Sequence, residues 1–275
     1  MTAYDNLKEI KFIKTGFSHP YIGLGKGCFK RCVNLQSIDC SNVVELKDEC
    51  FDCCKSLTEL DLHNVDKEIP KSAFSFCLQL KRVSLGPRIT SIGDFAFLRT
   101  ALEEITLPEE LLSIKESAFF YCGNLKKINF NNKLQTIGEC AFCGDESLRE
   151  INLPDSVISI GMSAFANCLK LTNIKLSNNL EIIENRTFER NYYLKKVLFP
   201  HKIKAIKKEA FTYCGRLKEI HLPETLESIE PDAFGNCLNL MTIYYDGTAD
   251  NFLKINKNRF VKGATLIAKD KTAPL

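Results

Sequence analysis

The chain has 275 residues, 45% hydrophobic and 26% charged, with a formal net charge of +3. That balance is ordinary for a globular chain and gives no argument for nucleic acid or anionic lipid as the main partner. No apolar run of the ~18 residues needed for a membrane-spanning helix occurs. The first segment, "MTAYDNLKEIKFIKTGF", is charged and lacks the apolar stretch of a signal peptide. The expectation is a cytoplasmic chain as it stands, or a surface or secreted one whose signal lies before this start. Leu7, Ile10 and Phe12 then fall at strand offsets that recur later. Residues 1–28 therefore read as a partial N-terminal repeat or cap. Within it, "GLGKG" (Gly23 to Gly27) lacks the Lys-Ser/Thr of a phosphate-binding loop and reads as a plain loop.

From Phe29 onward one pattern recurs. A Phe stands at Phe29, Phe51, Phe74, Phe97, Phe119, Phe142, Phe165, Phe188, Phe211 and Phe234, at intervals of 22 or 23 residues. A nearly constant period of this length marks a solenoid. A small residue usually precedes the Phe, as at Ala118 and Ala164, and a Cys follows three residues later in seven units. Next come a Leu, then Ile, Leu or Val, then another apolar residue, as in Leu125, Ile128 and Phe130. Pro108, Pro154, Pro200 and Pro223 close four of these stretches, and an apolar pair such as Val157 and Ile160 follows. "LxxIxL" alternates at period two around its Ile and predicts a short strand. Pro cannot donate to a ladder and marks the strand's end. The later pair predicts a second short strand or extended turn on the other side of the core. "AFxxC" is too short for a stable α-helix and predicts a turn of 3₁₀-helix. No single coil can bury these residues alone. Stacked coils at a strand spacing of ~4.8 Å can.

The pattern "LxxIxLPxxLxxIxxxAFxxC" resembles the BspA-type leucine-rich repeat, across about residues 29 to 245. The tail "IYYDGTADNFLKI…FVKGATLIAKD" resembles the segment that closes such arrays, so residues 246–275 read as a C-terminal cap. The resemblance implies a right-handed, curved solenoid with a parallel sheet on its concave face. It also implies a binding role, often in surface or secreted proteins that meet host proteins.

Thirteen cysteines need an account. Seven share the offset three after the Phe, where Thr100, Asp145 and Asn191 stand in the other units. All of these side chains can hydrogen-bond, so the main reading is a ladder of buried thiols capping loop backbone. The competing reading is a metal site or a disulfide among Cys28, Cys32, Cys50, Cys53 and Cys54, with C-x-x-C spacing also at Cys140/Cys143. Each of Cys28, Cys32, Cys50 and Cys54 has a repeat role without metal. No cofactor is expected. Asn185-Arg186-Thr187 is a glycosylation sequon, but Thr187 fills an inward offset. The four histidines, His19, His63, His201 and His221, lie in no motif with a nucleophile and an acid, so the chain reads as non-enzymatic.

Two outward rows flank the strand Ile. One runs Ser37, Glu59, Arg82, Glu104, Lys127, Glu150, Asn173, Lys196, Glu219, Thr242. The other runs Asp39, Asp61, Ser84, Thr106, Asn129, Asn152, Lys175, Leu198, His221, Tyr244. The face is acidic at first, mixed in the middle, basic at Lys175, Lys195 and Lys196, and then apolar and aromatic. Nothing repeats strictly, so a regular polymer is not indicated. The expectation is a protein-binding module, monomeric, with a partner site at Lys175, Lys196, Leu198, His221 and Tyr244, extended by Tyr192 and Tyr193 in the preceding loop. An alternative function is an intracellular scaffold or regulatory subunit for another enzyme. An alternative fate for the cluster is cover by the C-terminal tail, through Phe252 and Phe260.

Overall fold

The structure, a computed structural model, describes residues 6–11, 21–256 and 263–275. It is a β-solenoid of stacked coils. On one face lie the "LxxIxL" strands, among them Glu59–Leu62, Arg82–Leu85, Glu104–Thr106, Lys127–Asn129, Glu150–Asn152, Asn173–Lys175, Lys196–Leu198, Glu219–Leu222 and Thr242–Tyr245. On the back lie shorter strands, such as Ile89–Ile92, Ser113–Ile114, Thr136–Ile137 and Ser159–Ile160. The neighbours that pair in either series do so in parallel, with equivalent offsets opposite each other: Ile151 faces Ile174, and Ile114 faces Ile137. That register keeps every apolar offset on the core side, because a one-residue slip would turn each strand over.

The core runs down the axis of the coils. Its centre is a column of ten Phe rings, each stacked on the next at centroid distances of 5.1 to 5.8 Å. These separations fall in the range of favourable aromatic pairs. The column explains the strict recurrence of Phe, since a smaller residue would leave a void between two rings.

The "AFxxC" segment differs from the expected 3₁₀ turn. Two successive β-turns replace it, closed by bonds such as Ala73 N–H to Pro70 C=O (3.3 Å) and Cys77 N–H to Phe74 C=O (3.2 Å). The third residue of each turn is left-handed, as at Ser72 (φ 52°) and Phe76 (φ 55°). The same two offsets have positive φ in every coil from Gly27 to Asn236. A 3₁₀ turn needs φ near −60°, and positive φ at the third position is the signature of a type II turn. The reason lies in a further ladder. These turns direct N–H groups at the next coil, as in Phe74 N–H to Ala96 C=O (2.8 Å) and Phe119 N–H to Ala141 C=O (2.8 Å). A helical turn would spend those donors within its own coil. Donation here runs toward the following coil, whereas at the start of the face strands it runs toward the preceding one, as in Lys126 N–H to Glu103 C=O (2.8 Å).

At the start of the chain, Glu9–Ile10 pairs in parallel with Ser37–Ile38, and Leu7 and Ile10 pack on the core edge. Phe12 and His19 lie outside the described residues. "GLGKG" is not wholly a loop: Ile22–Leu24 is a back strand paired with Val43–Leu46. Its Gly27 occupies the first left-handed offset, with φ 59°.

At the other end the repeat is replaced. A helix, Ala249–Ile255, is capped by the Thr248 hydroxyl, which accepts the Asn251 N–H. The helix buries Phe252 against the Tyr245 ring, 5.4 Å away. Thr265–Ala268 then adds one more parallel face strand, and Thr272–Pro274 pairs with it antiparallel. The reversed strand ends the parallel stacking, and Pro274 lacks a donor on that edge.

Candidate functional site

The Cys offset is built on one contact. Six of the seven thiols donate to the carbonyl of the Phe in the preceding coil: Cys54 to Phe29 (3.0 Å), Cys77 to Phe51 (3.2 Å), Cys122 to Phe97 (3.1 Å), Cys168 to Phe142 (3.3 Å), Cys214 to Phe188 (3.4 Å) and Cys237 to Phe211 (3.2 Å). Asn191 does the same work with its amide, donating to Phe165 C=O at 3.0 Å and accepting the Cys168 N–H at 2.9 Å. This ladder accounts for six of the thirteen cysteines. All thirteen are free thiols, and no cluster of three or more potential ligands occurs among the described residues. Burial pushes most of the thiols up, Cys40 to about 12. Cys140 goes the other way, because the Cys143 thiol hydrogen-bonds to it.

A labelling experiment checks this. A thiol reagent on native protein should attack Cys140 first, because thiolate character and exposure set the rate, and should spare the fully buried ladder. In denaturant it should count all thirteen. A count below that would mean disulfides and would contradict the ladder. Thr187, the sequon's hydroxyl residue, is fully buried and bonds Glu184 C=O at 2.8 Å.

The structure places the expected partner-site residues on the last coils. Lys175 and Leu198 are opposite each other on adjacent face strands, as are His221 and Tyr244. The row continues onto Ile267, since Tyr244 is opposite it. The His221 and Tyr244 rings stack at 4.2 Å with an interplanar angle of 15°. Leu198 is 49% exposed, Lys175, Lys196 and His221 are exposed, and Tyr244 is half-buried. The described tail does not cover this row. Phe252 sits beneath the last coil on the core side, because Tyr245, its contact, points opposite to Tyr244. Phe260 lies outside the described residues.

Tyr192 and Tyr193 lie on the loop edge before Lys196–Leu198, both well exposed. Tyr192 meets the Tyr213 ring edge-on at 6.5 Å, and Arg216 stacks its guanidinium over Tyr193 at 4.2 Å. Arg190 lies over Tyr213 at 5.8 Å. Sequence reading missed Tyr213 and Arg216. The signal was available: Tyr193, Arg216 and Asn239 share one loop offset on successive coils, as do Arg190 and Tyr213. Leu238 and Met241 add exposed apolar surface on the next coil, at 84% and 61%. Two grooves follow. One, of about 440 Å³, is lined by Lys195, Lys196, Val197, Leu198, Phe199, Glu219 and His221. The other, of about 590 Å³, is lined by Lys195, Arg216, Lys218, Glu219 and Asn239.

The sequence matches the BspA type leucine rich repeat region over residues 2–126 and 112–241, in six copies. The chain belongs to that family. Among solved structures, it is similar to a leucine-rich cell surface protein from Faecalibacterium prausnitzii A2-165, with 27% identity and a TM-score of 0.55 over 85% of this chain and 72% of that one. It also shares its fold with a leucine-rich repeat protein from Bacteroides ovatus ATCC 8483, with 20% identity and a TM-score of 0.52 over 98% and 93% of the two chains. No curated protein sequence matches it. No helix among the described residues is long and apolar enough to cross a membrane.

Proposed function

We infer that the protein is a non-catalytic binding module that takes a protein partner on its face sheet, at Lys175, Lys196, Leu198, His221 and Tyr244, with Tyr192 and Tyr193 at the edge. The observation that carries this is the exposed Leu198 and the stacked His221–Tyr244 pair at an offset that is polar in the preceding coils. Face-strand positions turned to solvent gain nothing from an apolar residue, whereas an exposed apolar and aromatic cluster with basic neighbours is the composition of an interface hot spot. A cell-surface setting is supported by the description of the Faecalibacterium protein.

The triple variant Leu198→Ser, His221→Ser, Tyr244→Ser tests the assignment. Affinity for the partner should fall at least about tenfold, equivalent to ~1.4 kcal/mol, with the unfolding midpoint nearly unchanged. A photo-cross-linker at His221 should capture the partner, and one at Ser113 on the back should not. Unchanged affinity in the triple variant would refute the site.

A further inference from the structure

We propose that the groove at the loop edge of the last coils holds an acidic, extended segment of the partner protein, with Lys195, Arg216 and Lys218 as the cationic contacts. This deepens the binding reading above and rests on it.

Charge pairing differs between this groove and other coils. Elsewhere in the array several coil-facing cations meet a carboxylate on the neighbouring coil: Lys126 with Glu103 (3.0 Å), Lys133 with Glu110 (2.7 Å), Lys204 with Glu181 (2.8 Å), Lys207 with Glu230 (2.8 Å) and Arg88 with Asp66 (2.8 Å), whereas Lys81 and Arg149 stand singly without an ion pair among the described residues. Lys195 and Lys126 share one offset, and so do Lys81, Glu103 and Lys218. Along the earlier coils that offset reads Lys81, Glu103, Lys126, Arg149 and Thr172. In the late coils Lys195 is followed directly by Lys218. Like charges facing each other on adjacent strands are unfavourable. Among the described residues neither lysine has a carboxylate within ion-pair distance, and Lys196 beside them has none either. Arg216 adds a third charge to the same groove, held in place over Tyr193. The one carboxylate lining the groove, Glu219, faces His221 at 3.9 Å. An isolated array gains nothing from this concentration of unpaired cations. A bound anionic chain would neutralise it.

The shape fits an extended chain. The edge groove and the face groove share Lys195 and Glu219, so they form one path from the loop edge to Leu198 and His221. A segment lying along it would meet cations first and the apolar cluster second. Carboxylates spaced by apolar residues match that order.

The probe is a short fluorescein-labelled peptide alternating glutamate and leucine, read by fluorescence anisotropy at low and high salt, with a heparin oligosaccharide measured in parallel. The expected result is saturable peptide binding that weakens as salt rises, because exposed charge pairs are screened. The double variant Lys195→Glu, Lys218→Glu should lower peptide affinity at least about tenfold, the scale of hot-spot loss, with its thermal midpoint unchanged. Lys81→Glu, at the same offset far from the groove, should leave binding as it was. No peptide binding, or equal binding by the double variant, overturns the proposal. Tighter heparin binding with the same sensitivity to the double variant overturns it in favour of a sulfated polysaccharide. The Leu198→Ser, His221→Ser, Tyr244→Ser variant separates this claim from the one it rests on. Peptide binding lost in that triple variant but kept in the double variant overturns the cationic groove and leaves the face-sheet site. The reverse pattern keeps the groove and removes the face-sheet site.

Discussion

Phe165→Ala is expected to cost about 3–5 kcal/mol of stability, the range for truncating a buried Phe. The ring is fully buried and stacked on both sides, at 5.2 Å from Phe142 and 5.8 Å from Phe188. Removing it opens a void in the middle of the column, and the rings above and below are held by their own coils and cannot close it. Phe29→Ala should cost markedly less. Phe29 is only partly buried and has one stacking neighbour in the column, Phe51 at 5.4 Å. Urea unfolding of both variants measures the difference. Equal costs would contradict a stack in which each coil depends on its two neighbours.

Asp145→Asn is expected to stabilise the protein at neutral pH, by about 1.4 kcal/mol for each pH unit over which the folded carboxyl holds a proton that the unfolded chain releases. Asp145 stands at the Cys offset, fully buried. Its Oδ1 accepts the Cys122 N–H at 2.8 Å, as Asn191 Oδ1 accepts that of Cys168. Its Oδ2 has no donor. By repeat equivalence Oδ2 occupies the place of the Asn191 amide nitrogen, which donates to two Phe carbonyls at 3.0 Å. A carboxylate cannot donate there, but a carboxylic acid can. Burial accordingly pushes the Asp145 carboxyl well above the usual carboxylate range. The groups facing it are the thiols of Cys122 and Cys168, themselves pushed up by burial, so no cation offsets the effect.

The sign of the pH dependence follows. In the unfolded chain Asp titrates near ~3.9. Above that value and below the raised folded value, folding takes up a proton. Stability from this group is therefore complete below ~4 and falls as pH rises, by up to about 1.4 kcal/mol per unit. Asp145→Asn should remove that slope. A variant that is less stable than the parent at neutral pH, or that keeps the same slope from mild acid to neutral, would refute a protonated Asp145.

Much of the fold was legible because burial here depends on residue type at a fixed offset. Phe119 and Phe165 had to be inward, since no exposed role recurs every 23 residues. Cys122 and Cys168 could be read as ladder thiols for the same reason, and so could their substitution by Asn191. Other features left no trace in the periodicity. Ser72, Tyr121 and Arg190 all adopt positive φ, yet nothing in their types distinguishes them from a 3₁₀ turn. Their conformation is imposed by backbone donors that must reach the next coil. Lys126 and Lys195 stand at one offset and look alike in sequence. Only the stacked coils show that Lys126 finds Glu103 while Lys195 finds no carboxylate among the described residues. The sequence by itself determined the period, the inward residues and the stacking of coils, because hydrophobic burial is a property of each residue's type. The tertiary structure alone decided the turn geometry, the burial of Asp145 without a donor to its Oδ2 and the unpaired cations of the last coils. Hydrogen bonds and ion pairs depend on which groups come within about 3 to 4 Å, and neighbouring coils set that distance.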